Sequence, residues 1–158
     1  MTTLQLAKQL ICRFSNKGIT VATAESCTGG LIAKTFTDIS GSSAVFCGGF
    51  VTYTNEAKRD LLGVDEAIFA HDTEVSHACA KAMAEGARLR LGADVAVSTT
   101  GFAGPTGGTE RDPVGTVYIG ISTANGTHSE RFCAPIGSTR REVRAAATKR
   151  VLEILLEM

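Results

Sequence analysis

The chain of 158 residues has no Trp, seven Phe and two Tyr, too few rings for an aromatic platform that stacks single-stranded bases. It also has no excess of charge: 16 Lys and Arg balance 16 Asp and Glu. A generic phosphate-backbone binder needs a basic surplus to release counterions, so no nucleic-acid partner is expected. No apolar run approaches the roughly 18–20 residues that cross a bilayer, and no membrane partner is expected. Met1 to Gly18 lacks the basic start and unbroken apolar stretch of a secretory signal, which predicts a cytoplasmic location. The five cysteines, Cys12, Cys27, Cys47, Cys79 and Cys133, are odd in number and contain no CxxC, so neither a disulfide framework nor a zinc site is indicated. His71, His77 and His128 form no HxxxH or HExxH pattern, and no metal is expected.

What is present is ordinary globular composition, 44% hydrophobic and 20% charged. The length suits one domain, taken as residues 1–158. Leu4, Ala7, Ile11 and Phe14 recur at helical spacing, and Gly18 stands where an αL cap is wanted. Ile19 to Ala24 reads as a buried strand, and Leu31, Ile32 and Phe36 belong to a second helix. Val45 to Thr54 looks extended, with Gly48-Gly49 marking a bulge. Asn55 is placed as N-cap of a short helix ended by Gly63. A longer helix is predicted from Thr73–Ser76 to Leu91. Its Ala78, Ala82, Gly86 and Ala87 suit close packing. Asp94 to Thr100 is the next strand, Gly101 to Gly115 a long loop, and Asn125-Gly126 a hairpin turn. Thr139 and Glu142 form a capping box before the last helix. This alternation predicts a three-layer α/β/α fold around a mixed, mostly parallel sheet of about five strands that includes one antiparallel hairpin. Small residues alternating with apolar ones are compatible with a homo-oligomer, such as a symmetric dimer.

Three polar segments each follow a predicted strand, where open α/β sheets bind ligands. In Glu25-Ser26-Cys27-Thr28-Gly29-Gly30, a strand–turn–helix junction would aim free N–H groups at an anion or a developing oxyanion. The plain alternative is that Ser26 or Thr28 only caps the helix. Around Tyr53 to Lys58, a lysine in a first helical turn meets the positive end of the dipole, which helps lower its pKa toward that of a base. The alternative is a solvated surface charge. In Thr99 to Thr109, glycines allow close backbone approach and hydroxyls could hold phosphate or ribose oxygens, against an ordinary flexible loop. Arg140, Arg141 and Arg144 open the last helix, an unfavourable place for cations unless an anion binds there. Cys27 beside Ser26 is a rival nucleophile. No GxSxG, P-loop or GxGxxG pattern occurs.

Together, AESCTGG (Ala24 to Gly30), GFVTYTNEAK (Gly49 to Lys58), TTGFAGPTGG (Thr99 to Gly108), DPVGTV (Asp112 to Val117) and R-x-x-x-R (Arg140 to Arg144) resemble the CinA C-terminal domain family. The resemblance runs in the same order over essentially the whole chain. It implies a mixed-sheet α/β/α fold and hydrolysis of nicotinamide mononucleotide to nicotinate mononucleotide and ammonia, with a small-molecule partner and no cofactor. By motif, Ser26 matches the nucleophile and Lys58 the lysine that activates it. Tyr53 matches a site tyrosine, Thr100 a polar contact in the TTG segment and Arg140 a substrate-phosphate or site arginine. Cys27, Thr28, Gly29 and Gly30 would surround the reacting amide, and Gly104, Gly107 and Gly108 would line the substrate. The chain departs from the family at Cys47-Gly48-Gly49, where many members carry an arginine, and at Ser138-Thr139-Arg140, which replaces Gly-Asp-Arg. A catalytically silent nucleotide-binding or partner-binding module is the alternative function.

Overall fold

Strand segments rich in valine and alanine find partners in one sheet, described here from a computed structural model covering residues 1–158. In chain order the elements are α1 (Thr3–Lys17), β1 (Val21–Glu25), α2 (Leu31–Thr37), a 3-10 turn (Ser42–Ala44), β2 (Phe46–Val51), α3 (Asn55–Leu62), α4 (Glu66–His71), α5 (His77–Leu91), β3 (Val95–Gly101), β4 (Thr116–Thr123), β5 (Gly126–Cys133) and α6 (Arg140–Glu157). The strand order is β2-β1-β3-β4-β5. β1 pairs in parallel with β2 and β3, while β4 pairs antiparallel with β3 and β5. Only β4 therefore runs against the others. The mixed five-stranded α/β fold read from the sequence is the observed one.

Side-chain alternation along the strands sorts the core into two unlike faces. Val21, Val95, Val97, Ile119 and Ile121 join Leu10, Phe14, Ile32, Phe36, Val151 and Leu152 from α1, α2 and α6 in the larger cluster. Each such buried side chain contributes about 1.5–3 kcal/mol of burial free energy. Ala22, Ala24 and Ala96 face the other way, with Cys79, Met83 and Ala87 of α5. Small residues bring α5 close on that side. A Cβ on Gly120 would stand 2.1 Å from the Ala80 carbonyl oxygen, and one on Gly86 would stand 2.1 Å from that of Leu62.

The local signals held at most ends. Gly18, Gly63 and Gly92 close their helices in the αL region, and Thr139 with Glu142 forms the capping box of α6. The β2 irregularity is real: Val21 pairs with Phe46 and Ala22 with Gly48, so Cys47 is the extra residue. Two details differ. Thr54, not Asn55, caps α3, because the chain stays extended through Thr54, whose side chain accepts from Ala57 N–H. The β4–β5 turn is centred on Ala124-Asn125, since Thr123 pairs with Gly126. Gly126, just past the turn, takes the positive φ of 135°. The short helix α4 has too few turns to show an apolar period and was not anticipated.

Candidate active site

β1 ends at Glu25, and the next residue, Ser26, donates its N–H to the Thr99 carbonyl on neighbouring β3 at 3.0 Å. The turn then closes through Gly29 and Gly30, at φ 60° and 96°, a region glycine enters without steric cost. From the other side of β1, β2 delivers α3, whose first turn carries Lys58. Lys58 Nζ lies 2.9 Å from Ser26 Oγ, 2.9 Å from the Thr52 carbonyl oxygen and 3.4 Å from that of Tyr53. Only 1% of Lys58 and 8% of Ser26 is exposed, so Lys58 is no solvated surface charge. No carboxylate lies within ion-pair distance of it. Burial therefore holds its pKa below the ordinary 10.5, more strongly than the nearby Cys79 and Glu74 raise it. A neutral amine has two N–H groups and one lone pair. In that neutral form, with the two carbonyls taking the N–H groups, the lone pair would face Ser26 Oγ and the hydroxyl would donate to it; the protonated amine donates to Ser26 Oγ instead.

The rest of the turn is held firmly. Thr28 is fully buried; its hydroxyl donates to Glu25 Oε1 at 2.7 Å and meets Thr99 Oγ1 at 2.7 Å. Its carbonyl accepts from Arg144 Nη2 at 2.9 Å. The Thr28 side chain is thus committed to the protein. The backbone N–H groups of Thr28 and Gly30, by contrast, have no partner within the chain, and that of Cys27 meets only its own sulfur. Cys27 and Thr28 are buried and Gly30 is half-buried, and N–H groups left without an oxygen partner at such a turn suit a site that stabilises a negative oxygen. Cys27 is buried, and burial pushes its thiol up to about 12. At neutral pH it is not a thiolate nucleophile.

Residues 3–158 match the CinA C-terminal domain. The chain belongs to this family. It is 45% identical over 157 residues to the nicotinamide-nucleotide amidohydrolase PncC of Escherichia coli K12, an alignment covering 98% of this chain and 95% of that protein. A CinA-like protein of Geobacter sulfurreducens is 56% identical over 113 residues, 72% of this chain and 27% of that one. Against the longer relatives the chain spans 25–36% of their length. The crystal structure of competence/damage inducible protein CihA from Agrobacterium tumefaciens superposes with a TM-score of 0.93 at 44% identity, covering 98% of this chain and 94% of that one.

On this CinA-type frame the remaining motif residues form a second cluster. Arg140, the first residue of α6, donates through Nη1 to the Gly104 carbonyl at 2.8 Å and through Nη2 to the Tyr53 hydroxyl at 3.0 Å. Tyr53 is 62% exposed; its backbone carbonyl approaches Lys58, but its phenol hydrogen-bonds to Arg140 and not to the Ser26–Lys58 pair. Thr100 is buried and donates to the Glu74 carbonyl at 2.6 Å, bracing the segment before α5. Gly104 and Gly108 pack on the returning limb of their own loop, where a Cβ would meet Val114 at 2.5 and 2.8 Å. A Cβ on Gly107 would be 3.5 Å from the Phe102 ring. Gly29 admits Arg144, whose Nη2 would be 3.2 Å from a Cβ there. Glu25 and Thr52 lie inside the AESCTGG and GFVTYTNEAK motifs without a role of their own in the sequence reading, and Arg144 stands there with Arg140 and Arg141 as a candidate anion contact, whereas the structure gives it to the Thr28 carbonyl. The Arg144 and Thr52 backbone contacts join segments far apart in the chain, while the Glu25 carboxylate meets Thr28, Ile32 and Ala33 only once the turn has closed.

Proposed function

We propose that this protein hydrolyses the carboxamide of nicotinamide mononucleotide to nicotinate mononucleotide and ammonia, with Ser26 as nucleophile and Lys58 as its base. The observation that carries this reading is the 2.9 Å contact between Ser26 Oγ and the buried Nζ of Lys58. The relative named nicotinamide-nucleotide amidohydrolase, similar over nearly its full length, supports the choice of substrate.

An amide is a poor electrophile and a serine hydroxyl a weak nucleophile, so the proton must leave during attack. Neutral Lys58 takes the Ser26 proton as Oγ bonds to the carboxamide carbon. The N–H groups of the Cys27–Gly30 turn that carry no oxygen partner receive the oxyanion. Protonated Lys58 then gives its proton to the departing nitrogen, the C–N bond breaks and ammonia leaves. Water, deprotonated by the same amine, cleaves the resulting ester and restores Ser26. The base and the nucleophile both come from the chain, so this route needs no cofactor. Arg140, with Tyr53 and the Gly104–Gly108 loop, receives the substrate phosphate. Residues 1–158 work as one domain on a small-molecule substrate, without nucleic acid, as a cytoplasmic homo-oligomer.

The test is ammonia release from nicotinamide mononucleotide by the wild type and by Ser26→Ala. The substitution should lower turnover by about 10³-fold or more with folding intact, as loss of a nucleophile does in serine hydrolases. Undiminished turnover in Ser26→Ala would remove the covalent route. A wild type without turnover that is still stabilised by the nucleotide would instead be a binding module.

A further inference from the structure

Glu25 is fully buried and makes no ion pair. Three donors hold its carboxylate: the Thr28 hydroxyl at 2.7 Å and Ile32 N–H at 2.9 Å on Oε1, and Ala33 N–H at 3.0 Å on Oε2. The N-cap residue of α2, Gly30, has no side chain to offer, so Glu25 supplies the cap from upstream. The Thr28 hydroxyl has one proton. Since it goes to Glu25, the shared contact with Thr99 runs from the Thr99 hydroxyl to Thr28 Oγ1. The relay Thr99–Thr28–Glu25 thus ties β3, the Ser26 turn and α2 into one unit. The backbone of Glu25 reaches the other half of the pair as well. Its carbonyl accepts from Thr52 N–H at 2.9 Å, and the Thr52 carbonyl in turn holds Lys58 Nζ at 2.9 Å.

We propose that Glu25 is a positioning residue for Ser26: its carboxylate fixes the Ser26–Gly30 turn so that Oγ stays on Lys58 and the free N–H groups stay aimed at the oxyanion. The proposal rests on the reading of Ser26 as nucleophile. Glu25→Gln is the direct probe, because both oxygens accept backbone N–H groups. Either orientation of the new amide sets an NH₂ against one of them, without a change in volume.

Amide hydrolysis and Ser26 labelling by a fluorophosphonate would be measured for the wild type, Ser26→Ala, Glu25→Gln and Thr28→Val. Thr2→Ala, which removes the capping box of α1, serves as a destabilised control remote from the site. Displacement of the nucleophile should lower kcat of Glu25→Gln about 10²-fold, leave KM within about twofold and slow labelling in proportion. Thr28→Val should shift kcat the same way. Thr2→Ala should lose thermal stability alone. A kcat for Glu25→Gln no lower than that of Thr2→Ala, per folded molecule, overturns the proposal. If Glu25→Gln does not fold, a wild-type kcat in Thr28→Val overturns it. Full activity in Ser26→Ala would overturn the nucleophile itself, and the positioning role with it. An inactive Ser26→Ala beside a fully active Glu25→Gln would overturn the positioning role alone.

Discussion

Arg140 reaches Tyr53 across 87 positions of sequence, its Nη2 lying 3.0 Å from the phenol oxygen, while Nη1 holds the Gly104 carbonyl at 2.8 Å. Both acceptors are neutral, so the guanidinium keeps its charge for an anion. It gathers the β2–α3 connection, the glycine loop and α6 at one point. Hydrogen bonds from a guanidinium to phosphate are charge-assisted and directional.

Arg140→Ala should therefore raise KM for nicotinamide mononucleotide about 10–100-fold, from the loss of charged hydrogen bonds of about 1.5–3 kcal/mol. Turnover of the riboside, which lacks the phosphate, should change little. Steady-state kinetics on both substrates is the check. An equal loss on both would place the phosphate elsewhere.

The pH dependence follows from Lys58. Its pKa lies below 10.5 because of burial, and only the neutral amine can accept the Ser26 proton. The kcat/KM profile should rise with pH through that lowered value, falling about tenfold per pH unit below it. Stability should move the same way. Between the folded value and 10.5 the unfolded chain binds the proton that the folded chain has released, so stability rises with pH across this window. Lys58→Met should abolish activity and flatten that part of the Tm profile. A rise that survives the substitution would assign it to another group.

Gly49 pairs with Thr23 between β2 and β1, and a Cβ there would stand 2.2 Å from Thr23 Oγ1. Gly49→Ala should cost about 1–3 kcal/mol through overpacking. It should also lower activity, since β2 leads directly to Thr52 and Lys58. The Thr23 hydroxyl is buried without a partner, so Thr23→Ala in the same chain should recover most of the loss. Urea denaturation of the two single variants and the double variant measures the coupling. Simple additivity would show that the clash is not the cause.

The thiols divide by burial. Cys12, Cys47 and Cys133 are exposed; Cys27 and Cys79 are buried, with pKa values pushed up to about 12 and about 11 by desolvation. A disulfide reagent at pH 8 should titrate the three exposed thiols in the native protein, and the other two only after denaturation. Fast native modification of Cys27 would restore it as a rival to Ser26.

Much of the fold was legible because its signals are local. Thr139 and Glu142 meet within one turn, Gly18 and Gly92 stop helices by their own φ, and the short valine- and alanine-bearing runs of β1 and β3 need only their own composition to read as buried strands. The boundaries that moved did so where two adjacent residues could play one part. Thr54 and Asn55 are both good N-caps, and the extended exit of β2 selected the first.

Sequence by itself determined the residue types on which the chemistry depends: a serine after a strand, a lysine in a first helical turn, arginines opening the last helix. It could not determine the state of Lys58, because burial is a property of everything packed around a side chain. The parallel pairing of β1 with β2 brings that amine to Ser26 across 32 positions. The same packing commits Thr28 and Thr100 to internal acceptors and buries Glu25, given no role by its motif, against the turn it precedes. Hydrogen-bond partners distant in sequence exist only once the sheet has assembled, and that is where the tertiary structure decided the site.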